Sequence, residues 1–171
     1  MTRAAAKTRL PWEDRWSEPS LGDLLDPLNA QRRRQLELVI DELDGYDAID
    51  RQIAWYGPGW HWTIQYRLKT DDVPASDVLC YLVPKVDGPI VCVPLASEEI
   101  ERLPMKRLNK MVRNGIRIAK CAVEIHWATW SPNNQSEIHH LIDLIKRKYK
   151  LVQAASGNGH NGNGNGKSKK T

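Results

Sequence analysis

Residues 60 to 69 alternate without a break, with Trp60, Trp62, Ile64, Tyr66 and Leu68 on one side and His61, Thr63, Gln65, Arg67 and Lys69 on the other. A period of two sustained this long is the pattern of a half-covered antiparallel strand, which needs partners along its edges and a layer over its apolar face. The flanking sequence supplies both. Ile53 to Tyr56 reads as a short strand turned into it by Gly57-Pro58-Gly59. Val78 to Val83 and Ile90 to Leu95, joined through Pro84 to Pro89, are apolar on both faces, as central strands are. Cys121 to Trp130 alternates again, with Cys121, Val123, Ile125, Trp127 and Thr129 opposite Ala122, Glu124, His126, Ala128 and Trp130.

The covering layer comes from helices. Asp26-Pro27 is an N-cap followed by proline at the first helical position, and Leu28, Leu36, Val39, Ile40 and Leu43 continue at helical spacing to Asp44-Gly45. Ser97 with Glu98, Glu99 and Glu101 opens a helix that Pro104 breaks. A further piece, Met105 to Arg113, is expected to stop at Asn114-Gly115. Ser136-Glu137 starts the last helix, whose stripe is Ile138, Leu141, Ile142, Ile145 and Tyr149, with Lys146, Arg147, Lys148 and Lys150 crowding its end.

The expected fold is therefore α+β, an antiparallel sheet of four to five strands packed by helices in the order α-β-β-β-β-α-β-α. Residues 1–19 read as a flexible arm, within which Pro11 could open a short turn carrying Trp12 and Trp16. Residues 20–152 form one domain, and 153–171 an Asn/Gly/Lys tail too polar to offset its ordering entropy. The 70–77 loop is a polar insert.

Charge narrows the partners. The span 10–155 holds 19 of the 25 basic residues and all 21 acidic ones, so it balances at −2, and the excess of positive charge belongs to the termini. Cys80, Cys92 and Cys121 are odd in number, widely spaced and set in apolar alternating runs, which fits reduced thiols in a cytoplasm. No apolar run is long enough for a membrane span, and no membrane association is expected. The chain has seven Trp and no Phe, so its aromatic bulk carries polar atoms suited to a core edge or pocket wall.

The segment Trp55-Tyr56-Gly57-Pro58-Gly59-Trp60, followed by His61 to Arg67 and Leu79-Cys80-Tyr81-Leu82-Val83-Pro84, resembles a bacterial family of domains of unknown function. Its members pair a W-x-x-Y-G…G-W stretch with an L-C-x-L-x-P strand. The resemblance spans roughly residues 20 to 150 in layout. It implies an α+β fold similar to the YdhG-like and YjbR-like small domains, with no established activity and no catalytic residue to carry over.

Several chemistries remain to be weighed. His61, Gln65, Glu124 and His126 would converge if strands 60–69 and 121–130 were neighbours, and a carboxylate beside imidazoles suits acid–base catalysis, with His61, Glu124 and His126 as the catalytic candidates. Trp55, Trp60, Tyr81, Trp127 and Trp130 are the candidates for lining a ligand pocket. Lys106, Lys110 and Arg113 share a helix face in this reading and could track phosphates. The histidines and cysteines lack metal-ligand spacing, and neither a cofactor nor a nucleic-acid reading motif is indicated. The leading expectation is a small non-catalytic binding or interaction module, with a small molecule or a protein as partner. An enzyme on the His/Glu face and a nonspecific polyanion binder are the alternatives.

Overall fold

A computed structural model describes residues 9–69 and 78–158. Its centre is a six-stranded antiparallel sheet of β1 (Ile49–Trp55), β2 (Trp62–Leu68), β3 (Val78–Val83), β4 (Ile90–Ala96), β5 (Lys120–Ala122) and β6 (Ile125–Trp130), in the order β1-β2-β3-β4-β6-β5. The α+β architecture and the four-strand meander match expectation. The extra strand arises because 121–130 is a hairpin, reversed at Val123 and Glu124, whose φ angles are 51° and 62°. Two successive positive φ values are what a two-residue hairpin turn requires, but neither residue is the Asn or Gly that normally announces one.

The helices are α1 (Leu21–Leu25), α2 (Ala30–Asp44), a single turn α3 (Gly57–Trp60), α4 (Ser97–Arg102), α5 (Lys110–Arg117) and α6 (Gln135–Asn158). α2 packs on β1 and α6, α6 on β3 and β4, and α5 on β6 and α6. One face of the sheet therefore carries the helical layer. Ile64, Tyr66, Leu82, Val93, Leu95 and Ala128 from the sheet meet Leu36, Val39, Leu141, Leu144 and Ile145 from the helices, and all are fully buried. At roughly 1.5–3 kcal/mol for each large apolar side chain, this layer is the main source of stability.

Several boundaries differ from the sequence reading. Asp26 is not an N-cap but the end of α1, which starts at Ser20 through a reciprocal Ser20–Asp23 cap; α2 starts three residues later, where Asn29 Oδ1 accepts from the Arg32 amide at 2.9 Å. The stretch drawn as a flexible arm contributes to the core: Pro11–Glu13 forms a 3-10 turn that buries Trp12, and the Trp62 indole donates to Asp14 O at 2.6 Å. α6 continues six residues past the expected domain boundary, to Asn158. Residues 1–8, the 70–77 loop and residues 159–171 lie outside the described residues.

α5 does not stop at Asn114-Gly115 but runs through it. The reason lies in Trp130 on β6, whose indole packs so closely that a Cβ on Gly115 would lie 2.1 Å from its Nε1. Here glycine is present for close approach rather than for helix termination.

Lys148 is likewise not part of a solvated basic helix end. It is 1% exposed, and its ammonium donates to Val78 O at 2.6 Å and to Pro94 O, with Glu99 Oε2 3.8 Å away. Proline in a central strand cannot donate to its neighbour. β3 and β4 cease to pair beyond Tyr81↔Cys92, and the lysine of α6 bonds carbonyls of both strands there.

Candidate functional site

Two residues reverse the expected face of Trp60. The chain leaves β1 at Tyr56, turns through Gly57 at φ 79°, and re-enters the sheet through His61 at φ 53°, with Tyr56 N donating to His61 O at 2.8 Å and His61 N to Gly57 O at 2.7 Å. Strand alternation therefore begins only at Trp62, and Trp60, inside α3, packs with the side chains of the face opposite the helical layer.

On that face Trp60 joins Tyr56, Tyr81 and Trp127 in one aromatic cluster, with Cys92 and Val78 packed into it. Tyr81 is the hub. Its ring centroid lies 5.2 Å from Tyr56, 5.4 Å from Trp60 and 5.9 Å from Trp127, and Trp60 meets Trp127 at 6.3 Å with an interplanar angle of 70°. These are the tilted and edge-to-face separations that the ring quadrupole favours.

Tyr81 on β3 and Trp127 on β6 are separated by β4, so their backbones stand about 10 Å apart at ordinary strand spacing. Their rings meet because β4 presents Cys92, Pro94 and Ala96 between them on this side, side chains too small to hold them apart. Tyr81 is 6% exposed, whereas Tyr56, Trp60 and Trp127 are half-buried and keep ring surface open.

Polar anchors fix two of the rings. The Tyr56 hydroxyl donates to Gln65 Oε1 at 2.6 Å, and Thr63 Oγ1 donates to Trp60 O at 3.0 Å. Burial raises the Tyr56 and Tyr81 phenols above their ordinary value, and pushes the Cys92 thiol up to about 12. Near neutral pH these groups keep their protons. What the cluster offers is π surface, phenolic hydroxyls and one amide, a set suited to binding rather than to proton transfer or nucleophilic attack.

The expected catalytic trio does not assemble. β2 and β6 are separated by β3 and β4. His61 lies between Trp12, at 4.2 Å, and Trp55, stacked at 5.3 Å, with its Nδ1 buried and without a hydrogen-bond partner among the described residues. Glu124 sits exposed in the hairpin turn. His126 pairs across the sheet with Leu95 on the helix-side register, and its Nε2 lies 3.2 Å from Ser97 Oγ. Gln65 alone of that polar quartet reaches the cluster.

The five ligand candidates divide by face. Trp60, Tyr81 and Trp127 come together, whereas Trp55 is paired opposite Trp62 and Trp130 donates to Met111 O at 3.3 Å against α5, both on the helix-side register. Lys106 belongs to a separate 3-10 turn, Met105–Arg107, so it does not share one helix with Lys110 and Arg113. Among the described residues, no three His, Cys, Asp or Glu side chains are grouped to hold a metal, and no helix is long and apolar enough to cross a membrane.

Tyr56, Cys92 and Gln65 in their cluster roles were not singled out from sequence as binding residues. β3 and β4 are apolar on both faces, so no period singled out Cys92, and nothing local pointed to Tyr56 beyond its place before Gly57.

No protein-family model matches the chain, and a comparison with curated proteins finds no match.

Proposed function

We propose that the protein is a small non-catalytic binding module whose aromatic cluster receives a planar, ring-bearing small molecule. The observation that carries this reading is the convergence of Tyr56, Trp60, Tyr81 and Trp127, from the segment after β1, α3, β3 and β6, on the sheet face opposite the helical layer. Half-buried indoles present π faces to a ligand, and the Gln65 amide and Tyr56 hydroxyl supply orientation, the mixture found in small-molecule sites. The resemblance to a family of domains of unknown function, carried by the same residues, belongs to this proposal.

The test is a thermal-shift and tryptophan-fluorescence screen of the full chain against aromatic metabolites, repeated with Trp127→Leu. A ligand that binds the native state raises Tm by linkage. Binding that is lost in a Trp127→Leu protein of near-normal Tm supports the reading. A variant that loses stability while binding the same compounds equally well would make the indole a core residue and refute it.

A second reading has its own observation. Arg102, Lys106, Arg107, Lys110, Arg113, Arg117 and Lys120 follow one another with no acidic residue between Glu101 and Glu124. Polyanion binding through this stretch predicts oligonucleotide affinity that collapses with salt.

A further inference from the structure

Where β3 turns into β4, two clefts share a wall. One, of about 420 Å³, lies between the start of α2, the β3–β4 loop and the loop after β6; the other, of about 480 Å³, continues beneath the Pro11–Glu13 turn to His61. Arg32, Lys85 and Asp87 line both.

The first cleft is also lined by Gln35, a glutamine 1% exposed whose amide nitrogen and oxygen both lack a hydrogen-bond partner among the described residues. The second is lined by Trp12 and His61, whose Nε1 and Nδ1 are buried and equally unpartnered. Buried polar side chains in folded proteins nearly always have a partner. Every buried side-chain polar atom found without one among the described residues belongs to these three residues.

The charges around them are sorted by depth. Arg32 and Lys85 are half-buried, whereas Glu13 and Asp87 are exposed. Neither cation has an ion-pair partner among the described residues. The Lys85 ammonium lies 5.9 Å from the Trp12 ring centroid. The walls are also held in place: the Arg32 guanidinium donates to Val86 O in the β3–β4 loop, and Gln31 Nε2 donates to Asn133 O, after β6, at 2.7 Å. α2 thus pins both loops, and such pre-organisation lowers the entropic cost of binding.

We propose that this paired cleft binds a mononucleotide, its base edge on the Gln35 amide and its phosphate on Arg32 and Lys85. A primary amide presents a donor and an acceptor side by side, which matches the edge of a nucleobase. Guanidinium and ammonium groups match phosphate oxygens. The volumes lie in the range of small-molecule sites. The site is separate from the aromatic cluster and independent of the function proposed for it.

The test is calorimetric titration of the full chain with AMP, GMP, CMP and UMP, and with the four nucleosides and inorganic phosphate as partial probes. At least one monophosphate should bind with Kd below about 1 mM, and at least about tenfold more tightly than its nucleoside or phosphate alone. Lys85→Ala and Gln35→Leu should each weaken it at least about tenfold. Gln35→Leu should do so with a Tm at or above that of the wild type, because an apolar replacement removes a buried amide that no described residue satisfies.

A fall in Tm for Gln35→Leu would show that the amide is bonded within the fold and would overturn the assignment. So would no binding by any of the four monophosphates at 1 mM, about the weakest affinity a specific site would show, or inorganic phosphate binding as tightly as they do, which would indicate an adventitious ion only.

Discussion

Gly115 offers the sharpest test of the packing, because two effects of opposite sign act at one atom. In the interior of a helix, replacing glycine by alanine stabilises by about 1 kcal/mol through backbone entropy. At this position the new Cβ would lie 2.1 Å from Trp130 Nε1, 2.4 Å from Cε2 and 2.7 Å from Cζ2, all rigid atoms of one indole. Trp130 is 7% exposed and held by its bond to Met111 O at 3.3 Å, so the ring cannot swing aside freely. Overpacking of this kind costs about 1–3 kcal/mol, and the severity of the contact places it at the upper end. Gly115→Ala should therefore lose about 2 kcal/mol net, a fall in Tm of about 4–8 °C for a chain of this size. Urea denaturation of Gly115→Ala, Trp130→Leu and the double variant measures the term directly: with the indole gone, alanine should become neutral or stabilising, a coupling of about 3 kcal/mol. If Gly115→Ala alone raised stability by the propensity increment, the close approach of α5 to β6 would be refuted.

Four further outcomes follow from the same physical account. Lys148→Met should cost about 3 kcal/mol in urea unfolding, because it leaves the Val78 and Pro94 carbonyls without their donor and removes the cation beside Glu99, whose Oε2 keeps the Ala96 amide; a neutral substitution would remove the lysine from the sheet's support. Tyr56, Tyr66 and Tyr81 all have phenols raised by burial. The native state therefore holds protons that the unfolded chain releases above pH about 10, so stability is complete below that pH and falls above it by up to about 1.4 kcal/mol per pH unit for each phenol. Tyr66→Phe should flatten this alkaline limb, and an unchanged slope would contradict the burial. Cys121 is exposed while Cys80 and Cys92 are buried, so Ellman's reagent should label one thiol in the native chain and all three in denaturant. Replacing Val123-Glu124 by Asn-Gly should raise stability by about 1–2 kcal/mol by calorimetry, since both positions have positive φ and Val123, 96% exposed, gives up no packing.

The sequence reading succeeded where the physics is local and failed where a single residue resets a count. Period two in β2 is imposed by the pleat, so the faces of Ile64 and Tyr66 could be read directly, and the apolar runs of β3 and β4 marked them as central strands without giving the face of Tyr81. Trp60 went to the wrong face because a helical turn and the positive φ of His61 intervene before alternation begins. The split of 121–130 was hidden for the same reason, since Val123-Glu124 adopts a turn conformation that its side chains do not advertise. The cap at Asp26 was a plausible cap, overtaken by two better ones at Ser20 and Asn29 whose side chains accept the required amide bonds.

The His61, Glu124 and His126 trio depended on strand order, a long-range property that alternation does not contain. The sheet places β3 and β4 between β2 and β6 and sends the two histidines to separate environments. The aromatic cluster survives the same change of order because its rings are long enough to meet across β4, whose side chains between them are small. Cys92, Pro94 and Ala96 are thus as much a part of the site as the rings: a bulky side chain at position 92 would separate Tyr81 from Trp127, now 5.9 Å apart, and close the surface between them without touching either ring's chemistry.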